Sequence, residues 1–234
     1  MANPYGLGAL ESPPDRHDLQ IEEAFAAAGI VPAAPPARYD VPKLPPVASF
    51  DQDGTPKCVA YSSGLEQASF DLSDLGHNYR WDFDLFFRRI GGTAAGAIPR
   101  NALSERLHRG YPLLPANSGN SAAAHRIAAY YAITKSRLAI CQAMQAFGVL
   151  LVSTPWYHSW FRPDAAGVLP DPDYQVGRHL WAAVGWRPEG IRAEQTWGVD
   201  YAKRGFFIMP WPFVLHSASE AWKAVDVLTA PKPS

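Results

Sequence analysis

Cysteine is nearly missing from this chain: Cys58 and Cys141 are the only two among 234 residues. Two thiols close at most one bridge, which excludes a multi-disulfide scaffold and makes a reducing compartment the natural setting. A surplus of charge is missing as well. Twenty-one basic against 22 acidic side chains leave a net charge of −1, without the positive field that nucleic acid or an anionic membrane surface requires. The short basic groups, Arg88-Arg89 and Arg106 with Arg109, read as solvated helix faces. No apolar run reaches the roughly 20 residues of a membrane-spanning helix. Residues 1–8 show neither a basic region nor an apolar stretch, so no signal peptide is read there. A cytoplasmic location is expected, with association with a virus particle as the other setting. No serine occupies a Gly-x-Ser-x-Gly elbow, so a serine hydrolase finds no footing. His17, His77, His108, His125 and His216 lack metal-ligand spacing, and no metal or other cofactor is expected.

What is present is a globular composition, 47% hydrophobic and 12% aromatic, with enough chain for a sizeable core. Residues 1–48 form a Pro-rich arm, expected to be extended apart from a short helix over 21–28 that Gly29 ends. The stretch from Ser49 to Ser62 carries the chemistry. It reads as a glycine-bearing loop entering a helix, with Thr55 as N-cap and Pro56 at the first helical position. Cys58 then lies in the first turn, where unpaired N–H groups and the helix dipole favour a thiolate. Gln52, six residues upstream, offers an amide donor at the mouth of the same loop. A nucleophile beside a donor is the apparatus of acyl transfer.

Helices are predicted over 58–70, over 79–90 on the stripe of Phe83, Phe86, Phe87 and Ile90, over 99–109, and over 134–146. Cys141 on the last of these reads as a small core hydrophobe. A polar connector spans 112–125. Strands are predicted at 149–153, at 177–186 beginning beside His179, at 191–198 and at 205–210. Trp156, Tyr157, Trp160 and Trp211 are candidates for an aromatic surface.

Three separated motifs carry a resemblance. The first is Gln52 with the loop into Cys58-Val59-Ala60-Tyr61-Ser62. The second is Gly177-Arg178-His179 leading to Val184-Gly185-Trp186. The third is Gln195-Thr196-Trp197-Gly198, followed by Gly205-Phe206-Phe207. In this order they resemble the papain-like cysteine peptidases of bacterial or phage type, which lack the secreted-type disulfides. The resemblance covers roughly residues 47–215. It implies an α+β fold in which a helical half over 49–132 faces an antiparallel β-sheet or barrel half over 133–234 across an active-site groove.

By the same resemblance, Cys58 is the nucleophile, His179 the general base and acid, and Gln52 the oxyanion donor. Gln195 stands where the family has Asn and orients the His, and an imidazolium beside Cys58 lowers the thiol's pKa. Trp197 shields that hydrogen bond. Gly96 and Ala97 fall where the family's glycine-rich strip lines the groove, and Arg178 beside His179 faces substrate. The N-terminal arm is shorter than the family's inhibitory pro-segment, so zymogen control is not expected. The implied partner is a peptide or protein substrate. Two alternatives stand beside the endopeptidase: acyl transfer to an amine, and a papain-fold structural or binding protein, such as a component of a virus particle or larger assembly, with weak or no activity.

Overall fold

The computed structural model describes residues 5–114 and 125–226. Most of the polar connector at 112–125 lies outside the described residues.

The arm runs extended except for α1 (Ile21–Ala27) and β1 (Tyr39–Asp40). A capping box between Gln20 and Glu23 opens α1, and Gly29 follows it at φ 62°, a left-handed turn that suits glycine. The 17-residue α2 (Cys58–Asp74) is buried along most of its length, so it lacks the single apolar stripe of a surface helix. It crosses the sheet close enough for Ser62 Oγ to donate to the Leu180 carbonyl at 2.8 Å. Gly64 is where α3 (Phe83–Arg89) closes on it: a Cβ there would lie 2.7 Å from the Phe83 ring. This helix is shorter than the predicted 79–90 span. Asp82 caps it through Leu85 N–H at 2.9 Å, and residues before it are drawn out by pairing of Trp81 with Leu113. The helix α4 (Pro99–His108) follows the predicted boundaries, with Pro99 at its head.

A polar cluster joins these helices to the sheet. Glu66 on α2 receives Arg106 of α4 at 2.7 Å and Lys223 at 3.0 Å, all three side chains fully buried. Isolated, any one of them would be strongly unfavourable in the interior; together they compensate.

The remaining strands are β2 (Ile127–Ala132), β3 (Leu150–Tyr157), β4 (Gln175–Trp186), β5 (Gly190–Glu194), β6 (Phe206–Pro210) and β7 (Glu220–Asp226). They order as β2-β7-β3-β4-β5-β6, with β1 paired to β4 off that path, and every pairing is antiparallel. The sheet packs on α2, while α5 (Arg137–Phe147) and α6 (Trp211–Ser217) flank it; Cys141 on α5 is buried. The strand β3 continues past the predicted stop at Ser153 to Tyr157 and carries Trp156 into the interior. The expected aromatic surface is therefore not one. Trp156, Trp160 and Trp211 are buried, and Trp156 meets Trp160, Trp197 and Phe207 edge-on at 5.2–5.9 Å, the arrangement that ring quadrupoles favour. No helix among the described residues is long and apolar enough to cross a membrane.

Candidate active site

Cys58 begins α2, and the helix cap is Lys57. Thr55 does not cap it as expected. Its hydroxyl instead donates back to the Gln52 carbonyl at 2.5 Å, closing a tight turn through Asp53 (φ 48°) and Gly54 (φ 66°). That turn brings Gln52 alongside the helix entrance. The Gln52 backbone N–H donates to the Thr196 carbonyl at 2.9 Å, and Asp51 bridges Trp197. The loop before Cys58 is thereby pinned to the segment after β5. Thr196 also fixes the side chain, because its hydroxyl donates to Gln52 Oε1 at 2.6 Å and leaves Nε2 to donate to the carbonyls of Thr55 and Gly6. Sequence reasoning missed this role, although Thr196 lies inside the quoted Gln195–Gly198 motif.

His179 sits in β4 opposite Thr154 of β3. Its Nε2 donates to Gln195 Oε1 at 2.5 Å, while Nδ1 is buried without a hydrogen-bond partner. A proton on Nε2 leaves Nδ1 with a free lone pair, the form a base requires. Trp197 covers the ring at 4.5 Å and Trp156 meets it at 5.3 Å. Gln195 follows β5 directly, and its own N–H is held by the Gly205 carbonyl at 2.8 Å. The extra methylene of Gln relative to Asn does not prevent contact with the imidazole. Across from this pair, the Cys58 sulfur is hydrogen-bonded by the backbone of Leu180, the residue after His179. Gln195 and Trp197 thus contact His179, Gln52 is tied to Thr196 between them, and Cys58 joins them through the backbone of Leu180.

Both ionisable groups are shifted against charge. Burial pushes the Cys58 thiol up to about 11, opposed by backbone hydrogen bonds from Leu180 and Gly8, and burial drives His179 down to about 3, opposed by the Gln195 hydrogen bond. The expected imidazolium-assisted depression of the thiol is absent in this conformation, since enclosure penalises both charged forms. The N-terminal arm lies against the residues around this pair. The Gly6 carbonyl accepts from Gln52 Nε2 at 3.1 Å and from Trp197 Nε1 at 3.0 Å. Gly8 and Ala9 donate to the Arg178 carbonyl at 3.1 and 3.2 Å, and the Gly8 carbonyl accepts from Ala97 N–H at 2.9 Å. Tyr5 stacks on Trp197 at 4.7 Å. Gly96 turns at φ 113°, and a Cβ there would lie 1.9 Å from the Gly8 oxygen. Each residue expected to line the groove, Gly96, Ala97, Arg178 and Trp197, contacts the arm. The Arg178 side chain itself turns toward Ser219 and Glu11. Among the described residues no cluster of His, Cys, Asp or Glu could hold a metal ion.

No family model matches the chain, and no curated protein matches it in sequence. Solved structures do match. Xylellain, a cysteine protease from Xylella fastidiosa, is 16% identical, with a TM-score of 0.81 over 96% of this chain and 97% of that one. Procathepsin B S9 from Trypanosoma congolense is 14% identical, with a TM-score of 0.73 over 94% and 85%. The Carica candamarcensis cysteine protease CMS1MS2 is 17% identical, with a TM-score of 0.67 over 82% and 99%. This chain has the papain-like fold, the architecture of these cysteine proteases.

Proposed function

We propose that the protein is a cysteine peptidase that hydrolyses peptide bonds through a thioester on Cys58. The observation that supports this reading is one run of linked contacts: Gln52 is tied to Thr196, next to the Gln195 that holds His179, and the backbone of Leu180 after His179 meets the Cys58 sulfur. A thiol heads a buried helix, an imidazole is held by Gln195 with Nδ1 unengaged, and the Gln52 amide donates to a peptide carbonyl there. Peptide hydrolysis asks for a nucleophile, a base that becomes an acid, and donors for an oxyanion.

In the proposed cycle, His179 Nδ1 takes the proton from Cys58 as sulfur attacks the substrate carbonyl carbon. The oxyanion is met by Gln52 Nε2 and the Cys58 backbone N–H. Collapse breaks the C–N bond, and His179 returns the proton to the leaving amine. Water, deprotonated by His179, then attacks the thioester and releases the acid and the free thiol. Gln195 keeps the imidazole in the Nε2–H tautomer throughout, and Trp197 excludes water from that hydrogen bond. The backbone groups of Ala97 and Arg178 are the hydrogen-bonding rails for an extended peptide, because they already hold one.

Hydrolysis of an unfolded protein substrate tests the reading: activity should disappear in Cys58→Ala with the fold unchanged. A papain-fold binding module is the second reading, supported by the elevated thiol pKa and the occupied cleft. It requires that Cys58→Ala leave all measurable function intact. Added amines, which would appear in the product if they intercepted the thioester, separate transfer from hydrolysis.

A further inference from the structure

Away from the cleft, the β5–β6 end of the sheet holds a hollow of about 400 Å³, with Arg187, Glu189, Arg192, Lys203, Phe206 and Ile208 on its walls. The strand registers fix which way it faces. Ala193 pairs with Ala183 of β4 and with Phe207 of β6, whereas Arg192 pairs with Ile208 and Glu194 with Phe206. Ala183 shares its face of β4 with Trp181 and His179, because strand side chains alternate. Arg192, Phe206 and Ile208 therefore lie on the face turned away from the imidazole.

The walls are charged and incompletely paired. Arg187 is committed: Nη1 donates to the Tyr39 and Trp186 carbonyls at 3.0 and 2.8 Å, and Nη2 meets both Asp40 oxygens at 2.9 Å. Asp40 has to serve Arg192 as well, whose Nη1 reaches Oδ1 at 3.2 Å. The guanidinium of Arg192 lies over the Phe206 ring at 3.9 Å, which fixes its plane. Its Nε and Nη2 edge, the fork that takes a carboxylate through two parallel bonds, meets no acceptor among the described residues. Lys203 Nζ has no hydrogen-bond or ion-pair partner among them either. Burial lowers the Arg192 pKa, opposed first by the Asp40 charge; the guanidinium has lost water without gaining a full set of acceptors. Counting Asp40 and Glu189 against Arg187, Arg192 and Lys203, the hollow keeps one cation in excess.

We propose that this hollow binds a carboxylate joined to a small apolar group, with Arg192 and Lys203 holding the carboxylate and Phe206 and Ile208 against the apolar part. Its volume is that of a small-ligand site, in which a few polar groups set orientation and apolar walls supply contact. A ligand bridging Arg192 and Lys203 ties β5 to the turn at 201–206. The Gly205 carbonyl in that turn accepts from Gln195 N–H at 2.8 Å, and Gly205 N–H donates to the Tyr201 carbonyl at 2.8 Å. Occupancy is thereby communicated to the residue that holds His179, while the cleft stays open. The binding site stands whether or not Cys58 is a nucleophile.

The test is amide proton–nitrogen NMR of the full chain, titrated with phenylpropanoate, its neutral primary amide, N-acetylphenylalanine and inorganic phosphate. Phenylpropanoate at millimolar concentration should move the amide signals of Arg192, Lys203 and Gly205 together, and that of Gln195 with them. The neutral amide should move none of these. N-acetylphenylalanine presents the same carboxylate as the end of a peptide, so the tighter of the two acids tells a peptide terminus from a free acid, and either supports the site. Lys203→Gln alters an exposed residue and should weaken binding about tenfold, the worth of one charge-assisted contact, with the rest of the spectrum unchanged as the check on folding. Arg192→Gln removes two bonds and should weaken it further. The amide or phosphate binding as tightly as the acid, or an affinity indifferent to Lys203→Gln, overturns the site. A Gln195 signal that stays still while Lys203 moves overturns the connection to the imidazole.

Discussion

Glu194 closes β5 immediately before Gln195, is fully buried, and has no hydrogen-bond partner for either carboxylate oxygen. Burial raises its pKa from the usual 4.5 to about 8, the attraction of Arg192 opposing only in part. The folded state therefore binds a proton that the unfolded chain releases, and stability falls as pH rises between those two values. Each tenfold change in proton affinity carries about 1.4 kcal/mol, so the full interval amounts to about 5 kcal/mol. This stabilisation is complete below about pH 4.5 and gone above about pH 8. Glu194→Gln keeps the size and cannot ionise. Urea unfolding of parent and variant at pH 5, 6, 7 and 8 isolates this group, because all others cancel in the difference. The variant's advantage over the parent should grow by about 1.4 kcal/mol per pH unit through this range and then level off. Parallel stability curves for the two proteins would refute the reasoning, since they would mean Glu194 titrates alike folded and unfolded.

Further outcomes follow from the same interior. Glu66→Leu strands Arg106 and Lys223 as buried cations and should destabilise the chain by about 3–5 kcal/mol in urea unfolding, with stability close to the parent's arguing that water reaches the cluster. Gln195→Leu removes the acceptor of His179 Nε2–H. A buried donor without a partner costs about 1–3 kcal/mol, so kcat/KM should fall roughly ten- to hundredfold. Gln195→Asn, which retains an acceptor, should recover part of that loss; equal damage from both would assign Gln195 to packing alone.

Several helices were readable because their punctuation is local. Pro99 and Gly110 bracket α4, and Gly29 follows α1 in a left-handed turn. The stripe through Phe83, Phe86 and Phe87 located α3, but its start depends on Asp82 and on Trp81 pairing with Leu113, a partner 32 residues away. Tryptophans misled for a related reason. Trp156 and Trp160 lie beside polar or turn residues in sequence, yet a cluster assembled from three strands and two loops buries them. The candidate site was legible as three motifs in order, because Cys, His and an amide are the residue types thiol chemistry uses. What closes the site was not legible. A Pro-rich composition implies an extended arm but no destination, and Gly6 and Gly8 acquire meaning only against Thr55 and Pro56, about 50 residues downstream. The thiol's raised pKa follows from its burial in the folded chain and not from any residue adjacent to Cys58 in sequence.

The thioester itself offers the most direct measurement. The protein, mixed with a peptidyl nitrophenyl ester, quenched in acid within milliseconds and digested for mass mapping, should carry the acyl group on the peptide containing Cys58. The adduct should vanish on longer incubation as water releases it, and Cys58→Ala should never form it. Substrate consumed with no acyl group on Cys58, or consumed equally by Cys58→Ala, would contradict nucleophilic catalysis by this thiol.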